Sequence, residues 1–131
     1  MNPLWATRLA RLAFCAVLLV ILVAGLRSDP VPEAFENQDK LHHWIGFACL
    51  TLSAWLAFPG VGLRWLALGS LLVSIGVELG QELLPLRTAS MGDIAANVIG
   101  VLCGMAVVLV LRRLWPWGQV DYGAKAESDA L

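Results

Sequence analysis

Charge is scarce in this chain. Only 15% of its 131 residues are Asp, Glu, Lys or Arg, while 59% are apolar and the mean hydropathy is +0.74. That balance leaves too little polar surface to cover a water-soluble globule of this size, so a bilayer is the expected solvent. A net charge of −1 and the lack of any basic stripe give no hint of a nucleic-acid partner, and none is expected. Cysteine is scarce too. Cys15, Cys49 and Cys103 lie in apolar runs without a CxxC-like spacing, and read as small buried hydrophobes rather than a disulfide or metal set. There is no internal repeat and no polar stretch long enough for a soluble domain.

What is present is a set of long apolar segments, at about 9–26, 41–58, 63–84 and 94–114. Each is near the roughly 20 residues that cross ~30 Å of hydrocarbon as a helix. Turn chemistry separates them: Asp29-Pro30-Val31-Pro32, Phe58-Pro59-Gly60, and Pro85. The predicted fold is all-α, an integral membrane bundle of four transmembrane helices in one domain over residues 1–115. The polar tail 116–131 lacks a periodic apolar face and is expected to be disordered. Arg8 and Arg11 ahead of the first apolar run also fit a cleaved signal peptide ending near Val23-Ala24-Gly25, but the run is long for one.

Orientation follows from counting Lys and Arg. With both termini cytoplasmic, the inner ends hold Arg8, Arg11, Arg64, Arg112, Arg113 and Lys125, and the outer ends hold Arg27, Lys40 and Arg87: six against three. Trp5, Trp55, Trp65, Trp115 and Trp117 then lie near the inner interface as an aromatic belt. A multi-pass protein of the plasma membrane is expected.

Against this apolar background, Asp39, His43, Glu78, Gln81, Arg87, Asp93 and Asn97 all fall toward the outer face. A charge at mid-membrane costs roughly 2.5–3.5 kcal/mol on insertion scales, so intramembrane ionisable groups are functional candidates by default. Helical rise places Glu78 roughly 10 Å below Pro85 and Asn97 roughly 6 Å below Asp93, at similar depth. Spacing aligns them sideways. Asp39 and His43 are i,i+4; Glu78, Gln81 and Glu82 are i,i+3,i+4; Asp93, Asn97, Gly100 and Gly104 keep one face of the last helix.

Simpler readings exist for most of these residues. Asp39 suits the first turn of a helix through the macrodipole. Ser90-x-x-Asp93 is close to a capping box. Asn97 with Gly100 and Gly104 suits close helix packing, as does Gly76-x-x-x-Gly80. Glu78 resists such a reading: it is deep, ionisable and away from any cap.

Asp39-Lys40-Leu41-His42-His43, Glu78-Leu79-Gly80-Gln81, Arg87 through Asp93, and Asn97-Val98-Ile99-Gly100 together resemble the VanZ-like membrane family, whose pattern is roughly DKxxH, ExxQ, then R, D and NxxG. The resemblance covers about Asp39 to Gly104. Leu86 stands where a glycine is common, and His42 and Glu82 are additional titratable groups. The resemblance implies a small polytopic cell-envelope protein, with a link to glycopeptide antibiotic resistance.

Three kinds of chemistry suit the cluster. As an enzyme on a lipid headgroup, Glu78 and His43, with Asp39 and Asp93 beside them, would handle protons, while Arg87 and Lys40 hold a phosphate. As a binder, Lys40, Gln81, Arg87 and Asn97 would capture a membrane lipid or a lipid-linked envelope precursor without chemistry. As a small proton-coupled transporter acting as a dimer, Glu78 would carry the proton. Transport is disfavoured by the absence of a matching polar path in the cytoplasmic halves. No tight metal-ligand motif occurs and no cofactor is expected; a homo-oligomer is compatible with all three readings.

The topology is testable. With native cysteines replaced by Ala, single cysteines at positions 36 and 88 should react with an impermeant thiol reagent outside intact cells, and one at position 60 should not. Labelling at position 60 alone would invert the arrangement.

Overall fold

The computed structural model describes residues 4–28, 34–85 and 90–114. These form four helices: α1 (Leu4–Gly25), α2 (Gln38–Ala57), α3 (Leu63–Glu82) and α4 (Met91–Leu114). The expectation of an all-α architecture holds. α1, α3 and α4 are each long and apolar enough to cross a membrane, as in a membrane-embedded protein. α2 has 20 residues but carries Asp39, Lys40, His42 and His43 in its first turns, which lowers its hydropathy. The tail 116–131, Arg87 and position 88 lie outside the described residues.

α1, α2 and α4 start ahead of their apolar segments because polar residues can occupy a first turn, whereas α3 starts at Leu63 as expected. α2 begins three residues before the apolar run. Asn37 sits in the left-handed region (φ 62°), which Asn tolerates better than most residues, and Gln38 Oε1 accepts the Ala34 N–H at 2.7 Å. α4 begins at Met91 because the Ser90 hydroxyl accepts the Gly92 N–H at 3.1 Å, an N-cap interaction within the anticipated Ser90-x-x-Asp93 box. Five residues, 58–62, reverse the chain between α2 and α3, with the Val61 N–H donating to Phe58 O at 2.9 Å. Such a short link makes its two helices antiparallel neighbours.

The chain therefore runs up, down, up, down, and α2 and α4 are parallel: residue 43 meets 97 and residue 48 meets 104. This pair makes the most extensive contact in the bundle. Two glycines permit it. A Cβ on Gly100 would collide with the Trp44 carbonyl, and one on Gly104 would lie 2.8 Å from Ala48 O and 2.9 Å from Thr51 Cβ. Small residues let two backbones approach where lipid offers no hydrophobic drive for association. Gly76-x-x-x-Gly80 does not play the expected part: Gly76 faces open space, and only Gly80 packs, against Leu26.

Phe47, Leu50, Ala67 and Val101 form the buried apolar centre, with Phe14, Val17, Leu18 and Ile21 of α1 covering it. α1 is secured at both ends. Arg11 Nε donates to Ala57 O at 3.5 Å, and Gln81 Nε2 donates to Gly25 O at 3.0 Å. The cysteines correct one expectation. Cys15 and Cys49 are exposed rather than buried, and Cys103 is half-buried and accepts the Trp44 indole N–H at 3.4 Å. An apolar run in a membrane helix faces lipid as readily as protein, so hydropathy could not tell the two sides apart.

Enlarging Gly100 to Leu or Gly104 to Val should destabilise the detergent-solubilised protein by about 1–3 kcal/mol, because backbone stands on both sides of the contact. Gly76→Ala should be neutral or slightly stabilising. Thermal unfolding measured for all three variants checks the contrast.

Candidate functional site

At the end of the bundle where α2 and α4 start and α3 finishes, three side chains from three helices join in one hydrogen-bonded chain. His43 lies roughly 8 Å along α2, Asn97 roughly 9 Å along α4, and Glu78 roughly 6 Å before the end of α3, so they share a depth. Asn97 Nδ2 donates to Glu78 Oε1 at 3.0 Å, and His43 Nδ1 lies 3.0 Å from Asn97 Oδ1. His43 Nδ1 is also 3.8 Å from Glu78 Oε1. Asn97 is fully buried and Glu78 is 3% exposed.

The polarity of this chain follows from chemistry. An amide oxygen only accepts, so with Nδ2 committed to Glu78, the proton between His43 and Asn97 belongs to Nδ1. A neutral His43 is thereby held as the Nδ1–H tautomer, with Nε2 as its basic nitrogen. Among the described residues, Nε2 has no hydrogen-bond partner. Glu78 Oε2 is likewise buried without one. Asp93 is buried near enough for its charge to act on Glu78. The site is thus a buried carboxylate with one oxygen satisfied by an amide, one oxygen open, and an imidazole base alongside. Such an arrangement can bind a proton or accept a hydrogen bond from a ligand, and Nε2 can take or give a proton beside it.

The remaining anticipated residues take other positions. Asp39 Oδ1 accepts the Lys40 backbone N–H at 2.8 Å and lies 3.7 Å from Lys40 Nζ. This pair is partly exposed, one turn above His43, and matches the simple reading of a first-turn acid. The Lys40 stem crosses Gly92, where an added Cβ would lie 2.7 Å from Lys40 Cε. Gln81 is buried but turned toward α1, its amide spent on Gly25 O. Of the two histidines left open by the sequence, His43 faces the cluster and His42 is exposed.

Below the cluster, through the middle of the bundle, the interior is less apolar than expected. Ser74, Ser70 and Thr51 are all buried. Ser74 and Ser70 follow Glu78 at intervals of four along one face of α3. Ser70 donates to Leu66 O at 3.0 Å, and Thr51 Oγ1 lies 2.9 Å from Phe47 O and 3.3 Å from Ser70 Oγ. Among the described residues no hydrogen bond joins these hydroxyls to Glu78, and Ser70 and Thr51 each bond to their own helix. Serine and threonine satisfy themselves on the preceding helical turn, so they do not interrupt an apolar run; their four-residue spacing below Glu78 was the available signal. Among the described residues, no three His, Cys, Asp or Glu side chains converge as a metal site would.

No family model matches the chain, and no curated protein or solved structure is significantly similar to it.

The tautomer assignment is open to measurement. In ¹⁵N-histidine spectra of the solubilised protein, at a pH where the ring is neutral, His43 should show a protonated Nδ1 and an unprotonated Nε2. Asn97→Leu should abolish that preference. A dominant Nε2–H form in the parent protein would break the hydrogen-bond chain as described.

Proposed function

We propose that this protein is a four-span plasma-membrane protein, both termini cytoplasmic, whose outer-face polar pocket recognises a charged lipid-linked envelope molecule. The observation that carries this reading is the Glu78–Asn97–His43 chain with Glu78 Oε2 buried and unsatisfied. A buried carboxylate oxygen with no partner is costly in a purely structural role and useful in one that binds or transfers a proton. The distribution of charge supports the orientation. Among the described residues, every Asp and Glu lies at the site end, whereas Arg8, Arg11, Arg64, Arg112 and Arg113 lie at the other, which the positive-inside rule makes cytoplasmic. α2 packs parallel to α4, which supports reading it as a fourth span. The VanZ-like resemblance and its link to glycopeptide resistance belong to this proposal. So does Arg87, which comes from the sequence and supplies a fork for a lipid phosphate.

A second reading, proton-coupled transport, is favoured by one observation: the buried hydroxyls of Ser74, Ser70 and Thr51 continue from Glu78 through the middle of the bundle.

Mass spectrometry of lipids retained by the purified protein separates these readings. The pocket reading expects one phosphate-bearing lipid-linked species enriched several-fold over the bulk membrane. It also expects Arg87→Lys to lose that enrichment nearly as fully as Arg87→Ala, because an ammonium cannot reproduce a bidentate contact. Retained lipid of bulk composition, together with proton flux in liposomes that Glu78→Gln abolishes, would replace it with the transport reading.

A further inference from the structure

The end of the bundle remote from the polar cluster has its own unmet requirement. Five arginines lie there, and among the described residues no carboxylate does. Two of them rest on indoles. The Arg112 guanidinium is 5.7 Å from the Trp55 ring centroid, and that of Arg64 is 5.6 Å from the Trp65 ring centroid. Arg64 differs from the others in what lies beside it. A groove of about 560 Å³ opens on the bundle surface between α3 and α4, lined by Arg64, Trp65, Ala67, Leu68, Leu71 and Met105. α3 and α4 are antiparallel with residue 78 meeting 97, so Met105 stands close to the level of Leu71, and Arg64 stands roughly 10 Å away along α3, toward its first turn. The groove is therefore apolar along its length and cationic at one end.

We propose that this groove seats an anionic phospholipid of the leaflet at the arginine end, one acyl chain along Ala67, Leu68, Leu71 and Met105 and its phosphate on Arg64. Charge complementarity selects the occupant. A guanidinium at headgroup depth without a protein carboxylate takes a phosphate as its counter-ion, and it holds two phosphate oxygens at once. Trp65 belongs at the same level, with an apolar ring toward the chain and a polar edge toward the headgroup. A zwitterionic lipid would fill the groove equally well but bring no net charge to Arg64. This seat is independent of the polar cluster and of what that cluster binds, since the two lie at opposite ends of α3.

Native mass spectrometry of the full chain in neutral detergent, titrated with phosphatidylglycerol or with phosphatidylcholine of the same chains, tests the proposal. The parent protein should bind the first phosphatidylglycerol several-fold more tightly than phosphatidylcholine. Arg64→Gln should erase that preference, Arg64→Lys should keep part of it, and Leu68→Trp, at an exposed position, should weaken both lipids by filling the groove. Arg112→Gln should leave the preference in place. Circular dichroism should show the same helix content in every variant. Equal binding of the two lipids by the parent, or a loss in Arg112→Gln as large as in Arg64→Gln, would overturn the seat in favour of diffuse attraction to a cationic surface. A preference that appears only when Asp121, Glu127 and Asp129 are neutralised together would also overturn it, by assigning Arg64 to the chain's own acidic tail.

Discussion

The close parallel approach of α4 to α2 governs the rest of this structure. At Gly100 the α4 backbone comes so near Trp44 that a single methyl group would collide with its carbonyl, and at Gly104 the same holds against Ala48 and Thr51. Lipid does not push apolar helices together as water does, so association here depends on how well surfaces fit. Two glycines one turn apart provide that fit. Asn97 stands one turn ahead of Gly100 on the same face, so the approach carries its amide into reach of His43. α3 then closes over the pair and adds Glu78. The polar chain is thus a by-product of backbone proximity, and it holds only while that proximity holds.

The two ends of the bundle solve opposite electrostatic problems. At one end acids are drawn into the interior: Glu78 and Asp93 are both buried, and Glu78 has the His43 imidazole and the Asn97 amide as neighbours. Such a site gains from a bound proton or a ligand that brings hydrogen-bond donors. At the other end arginines stand on tryptophans with no described carboxylate near them. That end gains from anionic headgroups. A membrane protein can leave both requirements unmet internally because its solvent is itself structured, with phosphate in a thin layer at each surface and none between.

Much of the site is legible in the sequence itself. Glu78, Asn97, Asp93 and His43 are conspicuous because hydrocarbon penalises each of them, and their similar depth followed from helical rise alone. Their roles were harder to read. Gln81 belongs to the same motif as Glu78 and is equally buried, yet it fastens α1 through Gly25, because a 60° turn about the helix axis separates their directions. Asp39 shares a face with His43 but ends at the surface, beside its own neighbour Lys40. The buried hydroxyls of Ser70, Ser74 and Thr51 escaped notice because hydropathy hardly registers a serine that bonds to its own helix.

The amino-acid sequence alone determined that the chain is apolar and helical, roughly where each helix lies, and that ionisable groups collect at one level. Those properties depend on composition and on the fixed rise of a helix, which are local. Which faces meet is not local. Gly100 and Gly104 pack while Gly76 faces open space, and His43 enters the cluster while His42 stays exposed, although each pair looks alike in sequence. In a bilayer both sides of a helix are apolar, so the hydrophobic pattern that marks the buried face of a soluble protein is weak. The rotation of each helix about its axis was decided only when backbones could approach closely enough to be held.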